Sequence, residues 1–370
     1  MKPFNRGKLL LARMLRPLWN VLGLFFSRAE VTGEPRSILV FDFHLIGDIV
    51  MLTPLLAALR DAYPSAHIAL VAGPWAGDVL RGLPYVDELV EFAAPWVKYR
   101  QGLVAWRNCW KLLRHLRQHH WDLGLEVRGD VRQILLLALS GARRRVGYDF
   151  SGGAALLTDV VASGSGHRHI AADYHRSLCE HLGIWRDREY LPQLCLTGDE
   201  QLSASKHEIF TGIHFGASLT LRIPGETMLD DFVTALLARS RGPFVVYHLL
   251  EAPRVSQHLL RKLGEDGASV TLWKGSLRDF ICQLSRCSHL YALDSGPAHI
   301  AAALGVKVSV IYGPSLPEMT RPLGGSVRII DGRILPCRPC DQRSCSNAQY
   351  QQCFAPPQAW LETQQAGSTR

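Results

Sequence analysis

His44-Leu45-Ile46-Gly47-Asp48-Ile49-Val50-Met51-Leu52-Thr53-Pro54 and Asp294-Ser295-Gly296-Pro297-Ala298-His299-Ile300-Ala301-Ala302-Ala303-Leu304-Gly305 are two short segments about 250 residues apart. Each follows an apolar, strand-like run, Ile38 to Phe43 in one case and Leu290 to Leu293 in the other, and each opens an apolar, helix-like run. Both therefore read as strand-to-helix turns at the carboxyl end of a sheet, where α/β proteins meet their ligands. The first offers a carboxylate and the second an anion cradle.

The rhythm around these turns is βα throughout. In the first half, strands are expected at Ile38–Phe43, Ile68–Ala72, Glu88–Phe92 and Asp122–Glu126, with helices at Gly47–Arg60, Ala76–Arg81, Leu103–His119, Val131–Ser140 and His167–Leu182. The second half repeats the pattern with strands at Phe210–Phe215, Phe244–Leu249, Val270–Leu272, Leu290–Leu293 and Val308–Tyr312. Its helices fall at Thr227–Arg239, Arg254–Leu263, Leu277–Arg286 and Pro297–Leu304. Alternation at this spacing predicts two mostly parallel, doubly wound sheets with a cleft between them. A chain of 370 residues is long enough for two such cores. The expected divisions are a basic amphipathic segment and linker (1–35), a first Rossmann-like domain (36–200), a second (201–335) and a Cys-rich segment and tail (336–370).

Hydrophobic content of 47% and charged content of 20% are those of a folded globular protein. A formal charge of +8 and a pI near 9.1 point to an anionic partner. No aromatic-basic, zinc-finger or basic-helix pattern is present, so nucleic acid is the least favoured of these anions. Nine scattered cysteines and no evident cleavable leader suggest a reducing cytoplasm. Lys8 to Phe26 is dense in Leu, Met, Trp and Phe, while Arg6, Arg13, Arg16, Asn20 and Gly23 would share one stripe of a helix. Its uninterrupted apolar stretch is too short to span a bilayer, so it is expected either to lie on an anionic membrane surface or to pack on the protein's own body.

At the second turn, Ser295 or Asp294 can cap the helix, Pro297 suits the first helical turn and Gly296 permits close approach by a diphosphate. The free N–H groups and the helix dipole attract an anion, and His299 is within reach of it. Gly216-Ala217-Ser218, followed by Arg222, offers a second small-residue loop with a cation. At the first turn, Gly47 allows a tight turn, and Asp48 is either a helix-capping carboxylate or a general base for an attacking hydroxyl, oriented by His44.

Together with Thr53-Pro54, Arg143-Arg144-Arg145-Val146-Gly147-Tyr148 and Tyr312-Gly313-Pro314, these motifs resemble the bacterial ADP-heptose:lipopolysaccharide heptosyltransferase family, glycosyltransferase family 9, over roughly residues 36 to 355. The resemblance implies an α/β GT-B fold with an acceptor-binding first domain and a donor-binding second one. It further implies an inverting transfer of a heptose or related sugar from a nucleotide-diphosphate sugar such as ADP-heptose to a lipopolysaccharide core or other lipid-linked glycan, with no obligatory cofactor or metal. Asp48 matches the family's proposed base, and Ala217, Ser218, Asp294, Ser295, Gly296 and His299 match its donor-binding positions. Arg222 stands where the family has a cation followed by Trp-Pro, whereas Asp42 stands where a basic residue is common. These expectations put the protein in the cytoplasm, peripheral on the inner membrane.

Cys337, Cys340, Cys345 and Cys353 are spaced C-x2-C-x4-C-x7-C, which suits either a tetrathiolate structural metal or a set of thiols stapling a loop. Two further readings of the whole chain stand beside the transferase: a nucleotide-sugar epimerase on the same fold, and a non-catalytic nucleotide- or glycan-binding protein at a membrane.

Overall fold

The computed structural model describes residues 16–26, 33–97, 103–162, 170–186, 189–204, 208–217, 219–249, 252–324, 326–340, 345–347 and 351–361. The chain forms two compact units, Met1–Leu191 and Pro192–Arg370. In the first unit, β1 (Ser37–Asp42), β2 (His67–Ala72), β3 (Glu88–Glu91), β4 (Leu123–Glu126), β5 (Arg144–Gly147) and β6 (Asp159–Val160) make a six-stranded sheet in the order β3-β2-β1-β4-β5-β6. All of its pairings are parallel. The apolar run at Ile38 becomes the central strand because both of its faces are buried, with Ile38 opposite Ile68 on one side and Leu123 on the other. Helices Ile46–Ala62, Ala76–Leu80, Leu103–Leu116, Val131–Leu139 and Ile170–His181 follow successive strands.

The second unit contains β7 (Phe210–His214), β8 (Phe244–Tyr247), β9 (Val270–Trp273), β10 (Cys287–Leu293), β11 (Lys307–Ile311) and β12 (Val327–Ile330), parallel and in the order β12-β11-β10-β7-β8-β9. Helices Glu226–Leu237, Pro253–Glu265, Leu277–Leu284 and Gly296–Ala303 connect them.

Three strands escape the hydrophobic pattern: β6, which is only two residues long, and β5 and β12, which carry arginine. In β5, Arg145 is buried and donates to the carbonyls of Leu156 and Ala142, both at 2.7 Å, while Arg144 pairs with Asp159 at 3.0 Å. In β12, Arg328 donates to Ala359 O at 2.6 Å and Trp360 O at 3.2 Å. Each guanidinium is satisfied by carbonyls or a carboxylate, which is what lets a charged residue sit in a sheet.

The stretch before residue 201, read as the end of the first domain, joins the second unit. Its helix Gly198–Ala204 supplies Glu200, whose carboxylate lies 2.5 and 2.8 Å from the guanidinium of Arg278, and Leu194 N–H donates to Ala303 O. The carboxyl-terminal segment is likewise part of that unit: Phe354, Trp360 and Leu361 are buried in one cluster with Phe215, Phe232 and Leu293.

At the amino end, Arg16–Gly23 is helical with Pro17 in its first turn. Residues 1–15, expected to share this helix, lie outside the described residues. Trp19, Leu22 and Phe26 pack against Ile134, Ala138, Leu156 and Leu157, so one face does lie on the protein's own body. Gly23 makes this possible, since a Cβ there would come within 2.5 Å of Ala155 O. Leu18, Val21, Leu24 and Phe25 remain exposed. No described helix is long and apolar enough to cross a membrane.

Trp360→Ala is expected to lower the unfolding free energy of the second unit by about 3–5 kcal/mol, read by denaturant titration; a loss below about 1 kcal/mol would show that the carboxyl-terminal segment is not part of its core. The hydrogen bond from Arg278 holds the Glu200 carboxyl down at about 2. Because the folded value is below the unfolded one, stability from this pair is complete above the unfolded carboxylate range and disappears as pH falls through the folded value. Glu200→Gln should therefore destabilise the second unit at neutral pH and weaken the decline of its Tm between about pH 4.5 and 2; an unchanged acid profile would contradict the assignment.

Candidate functional site

In each sheet the chain reverses its winding direction at one point: between β1 and β4 in the first unit, and between β7 and β10 in the second. Loops leaving such neighbours diverge towards opposite edges and open a crevice at the strands' carboxyl ends. The charged residues of both motifs collect at these two points.

At the first, β1 ends in Asp42, which is fully buried, and the helix Ile46–Ala62 begins four residues later. Leu45 has no side-chain acceptor to cap this helix. Instead the Asp48 carboxylate reaches back, Oδ2 accepting from Leu45 N–H at 3.0 Å, so the capping alternative describes one of its oxygens. The other, Oδ1, lies 2.6 Å from Arg128 Nη2. Arg128 follows β4, where Gly129, at φ +68°, takes the left-handed conformation that turns the chain. Its Nε is 3.6 Å from Asp42 Oδ2. Burial opposes the charge on Arg128, but Asp48 and Asp42 outweigh it and raise the guanidinium's proton affinity. Burial likewise opposes ionisation of Asp42, yet Arg128 and the hydrogen bonds from His44 hold its carboxyl well below the usual range. Beneath them Glu126 is pushed well above its ordinary value by burial and by Asp130, while its carboxylate accepts from Gly129 N–H at 2.5 Å. His175, from the helix Ile170–His181, donates from Nδ1 to Met51 O at 2.9 Å and is depressed to about 4 by burial and Arg128, so it is neutral at pH 7.

Two sequence expectations change here. His44 does not orient Asp48: its backbone N–H and its Nδ1 both lie 3.0 Å from Asp42 Oδ1. Gly47 does not make the turn, which residues 43–45 complete; it lies in the first helical turn without a positive φ. Arg128, which sequence reasoning passed over, is the partner that fixes Asp48, and its only signal was a cation just beyond a predicted strand.

At the second point, Asp294 and Ser295 link β10 to the helix Gly296–Ala303. Neither caps it: Ser295 Oγ donates to Leu293 O at 3.2 Å, and Asp294 Oδ2 accepts from Ser315 Oγ at 2.6 Å while pairing with Arg222 Nη1 at 3.0 Å. The first-turn amides therefore carry no side-chain cap, as an anion site requires. Arg222 arrives from the short 3-10 turn Thr220–Arg222 after β7, and Ser315 from the loop after β11. Three adjacent strands thus bring a cation, a hydroxyl and a helix start together. Gly296 is the first helical residue and His299 is buried one turn on. Ala217 is buried in the core cluster and so shapes this loop from beneath, whereas Ser218 lies outside the described residues. His214, at the end of β7, is depressed to about 4 by burial.

Cys337, Cys340, Cys345 and Cys353 line one small cavity of about 30 Å³. Burial pushes the Cys353 thiol up to about 11. Among the described residues, the group with metal-ligand spacing lies elsewhere: ligand atoms of Glu88, His115 and His119 stand within 4.8 Å of one another.

Residues 257–351, which contain the Asp294–His299 turn, match the family "Glycosyltransferase family 9 (heptosyltransferase)". Lipopolysaccharide heptosyltransferase 2 of Escherichia coli K12 is 25% identical over 324 residues, spanning 80% of this chain and 87% of that protein. Lipooligosaccharide heptosyltransferase 2 of Haemophilus influenzae is 19% identical over 336 residues, 83% of this chain and 92% of that one. Among solved structures, a family 9 glycosyl transferase from Veillonella parvula superposes with a TM-score of 0.69 at 19% identity, over 81% of this chain and 88% of the other. The E. coli ADP-heptose lps heptosyltransferase II gives 0.67 at 21% identity, over 81% and 91%. The fold class is accordingly GT-B, built from two Rossmann-like α/β units. With the Asp-Ser-Gly turn inside the matched segment and the relatives aligned through both units, the chain is similar to glycosyltransferase family 9, and the match and the relatives indicate a glycosyltransferase.

Proposed function

We propose that the enzyme moves a heptose or a closely related sugar from a nucleotide-diphosphate donor, ADP-heptose or similar, to a lipopolysaccharide core or other lipid-linked acceptor, with inversion at the anomeric carbon. The observation that carries this reading is the division of labour between the two switch points. One presents a carboxylate held by an arginine, and the other an arginine beside an uncapped helix start.

The chemistry follows from these groups. The acceptor hydroxyl attacks the anomeric carbon as the bond from that carbon to the donor diphosphate breaks. Asp48 takes the hydroxyl proton, and the sugar leaves attached to the acceptor through the new C–O bond. The departing nucleoside diphosphate gathers negative charge, which Arg222 and the first-turn amides of Gly296–Ala303 are aligned to meet. Arg128 and the Leu45 N–H hold the Asp48 carboxylate in place before the proton arrives. Ser295, Gly296, His299, Ala217 and Ser218 shape the donor side. The reaction as written needs no metal; an ion on the four carboxyl-terminal thiols would be structural.

Several features support the acceptor and the location. The relatives are named for lipopolysaccharide or lipooligosaccharide, the chain is basic, and the amino-terminal helix keeps an apolar face exposed. In this reading the enzyme works in the cytoplasm, peripheral on the inner membrane. The epimerase and the non-catalytic binding protein are set aside, because the family and the relatives are transferases.

Asp48→Asn should leave donor binding intact by calorimetry and lower transfer to extracted lipid-linked glycans by about 10²–10⁴-fold; near-normal turnover would remove Asp48 from its role. Arg222→Ala should weaken ADP-sugar binding by about 10–100-fold, the worth of a charge-assisted contact, with partial recovery in Arg222→Lys. Unchanged donor affinity in both variants would move the diphosphate away from this turn.

A further inference from the structure

The first unit contains a groove of about 890 Å³, remote in sequence from Asp48 and lined by four tryptophans, Trp19, Trp96, Trp106 and Trp110. Its wall is the helix Leu103–Leu116, which has two apolar faces rather than one. Cys109, Leu112 and Leu116 are buried in the core. Trp106, Trp110 and Leu113 follow one another at helical spacing on the groove side, with Trp106 58% and Trp110 75% exposed. Such an exposed aromatic face is unusual for a helix already anchored by its other side, and marks an interaction surface.

The groove's polar character is one-sided. Arg107, Arg114, Arg117 and Arg132 line it, and no acidic residue does among the described residues. Two of them already engage the wall: Arg132 lies over the Trp96 ring at 5.3 Å and pairs with Asp130, and Arg117 donates from Nε to Leu139 O at 2.8 Å. The indole N–H groups of Trp19 and Trp96 are buried without a hydrogen-bond partner among the described residues. Trp19 belongs to the helix Arg16–Gly23, on which Leu18 and Val21 are exposed, and Leu24 and Phe25, just beyond it, are 84% and 80% exposed.

We propose that this groove is a lipid-docking site. It takes an acyl chain of an anionic phospholipid from the bilayer surface between Trp106, Trp110 and Leu113, while Arg107, Arg114 and Arg117 hold the phosphate. Tryptophan suits a position where one edge is apolar and the other wet, and arginine stems cover apolar surface while their heads meet phosphate. Aromatic and basic residues also make stacking platforms for single-stranded nucleic acid. The aliphatic floor of Leu135, Leu136 and Leu139 favours hydrocarbon over bases. The site deepens the membrane reading above, and moves its centre from the amino-terminal segment alone to the helix Leu103–Leu116.

The full chain is tested against phosphatidylcholine vesicles with and without phosphatidylglycerol, by cosedimentation and by quenching of tryptophan fluorescence with acyl-brominated lipid. The unaltered protein should bind the anionic vesicles selectively and be quenched. Arg107→Gln with Arg114→Gln should weaken partition to anionic vesicles by about twenty-fold, and Trp106→Phe with Trp110→Phe should remove most of the quenching. Both pairs are exposed, so an unchanged Tm certifies the fold. Equal binding to both vesicle types, undiminished quenching in the Phe pair, or preferential capture of an oligonucleotide would each overturn the proposal. Neither readout depends on sugar transfer, so it stands or falls separately from the transferase reading. Retained transfer by the arginine pair to a deacylated, water-soluble acceptor would separate docking from catalysis, and loss of that transfer would contradict a purely docking role.

Discussion

A buried arginine spanning two aspartates governs the first half of this enzyme. Asp42 is fully enclosed at the end of the central strand, where an isolated charge would be prohibitive. Arg128, from the loop after the adjoining strand, pairs with it and reaches on to Asp48. Removing one partner of such a buried pair typically costs about 3–5 kcal/mol because the other charge is left uncompensated. The carboxylate assigned to catalysis is therefore positioned by a group that the fold itself requires. A similar device recurs in the second unit, where Arg222 crosses from the end of β7 to Asp294 after β10. In both units the winding of the sheet dictates the site: only at the reversal point do two loops diverge enough for side chains to meet across a crevice.

Much of this was legible in the residues. The apolar runs at Ile38 and Leu290 and the turns that follow them define the central strands and the helices Ile46–Ala62 and Gly296–Ala303 within a few residues. Most of what escaped the pattern did so for electrostatic reasons. β5 and β12 carry arginines whose partners are distant carbonyls, and no hydrophobic period reveals a charge satisfied by a residue far along the chain. The partner of Asp48 lies 80 positions away, so proximity in sequence suggested His44 instead. Asp42, a departure from the family's basic residue, becomes intelligible once Arg128 is seen to bring a guanidinium to the same corner. The cysteine spacing was visible, but the chain between them gave no means of telling a metal cage from a loop.

The distribution of charge connects the proposed chemistry to the proposed docking groove. Arginines serve three purposes here: satisfying buried strands, holding Asp48 and Asp294 at the two switch points, and, in the groove beside Trp106 and Trp110, lining a wall with no acidic neighbour among the described residues. In that last group Arg107 and Arg114 are exposed, and they coincide with exposed indole surface. Under the proposed reading, docking at a membrane that carries the acceptor would raise the acceptor's local concentration without altering the transfer step.

The central claim is that one switch point supplies the base and the other receives the diphosphate. A crystal structure of the enzyme with a non-hydrolysable nucleotide sugar and an acceptor fragment tests it most directly. The account predicts the diphosphate on Arg222 and the first amides of Gly296–Ala303, with the Asp48 carboxylate within hydrogen-bond reach of the acceptor hydroxyl. A diphosphate bound away from that helix start, or an acceptor hydroxyl addressed by some other base, would contradict it.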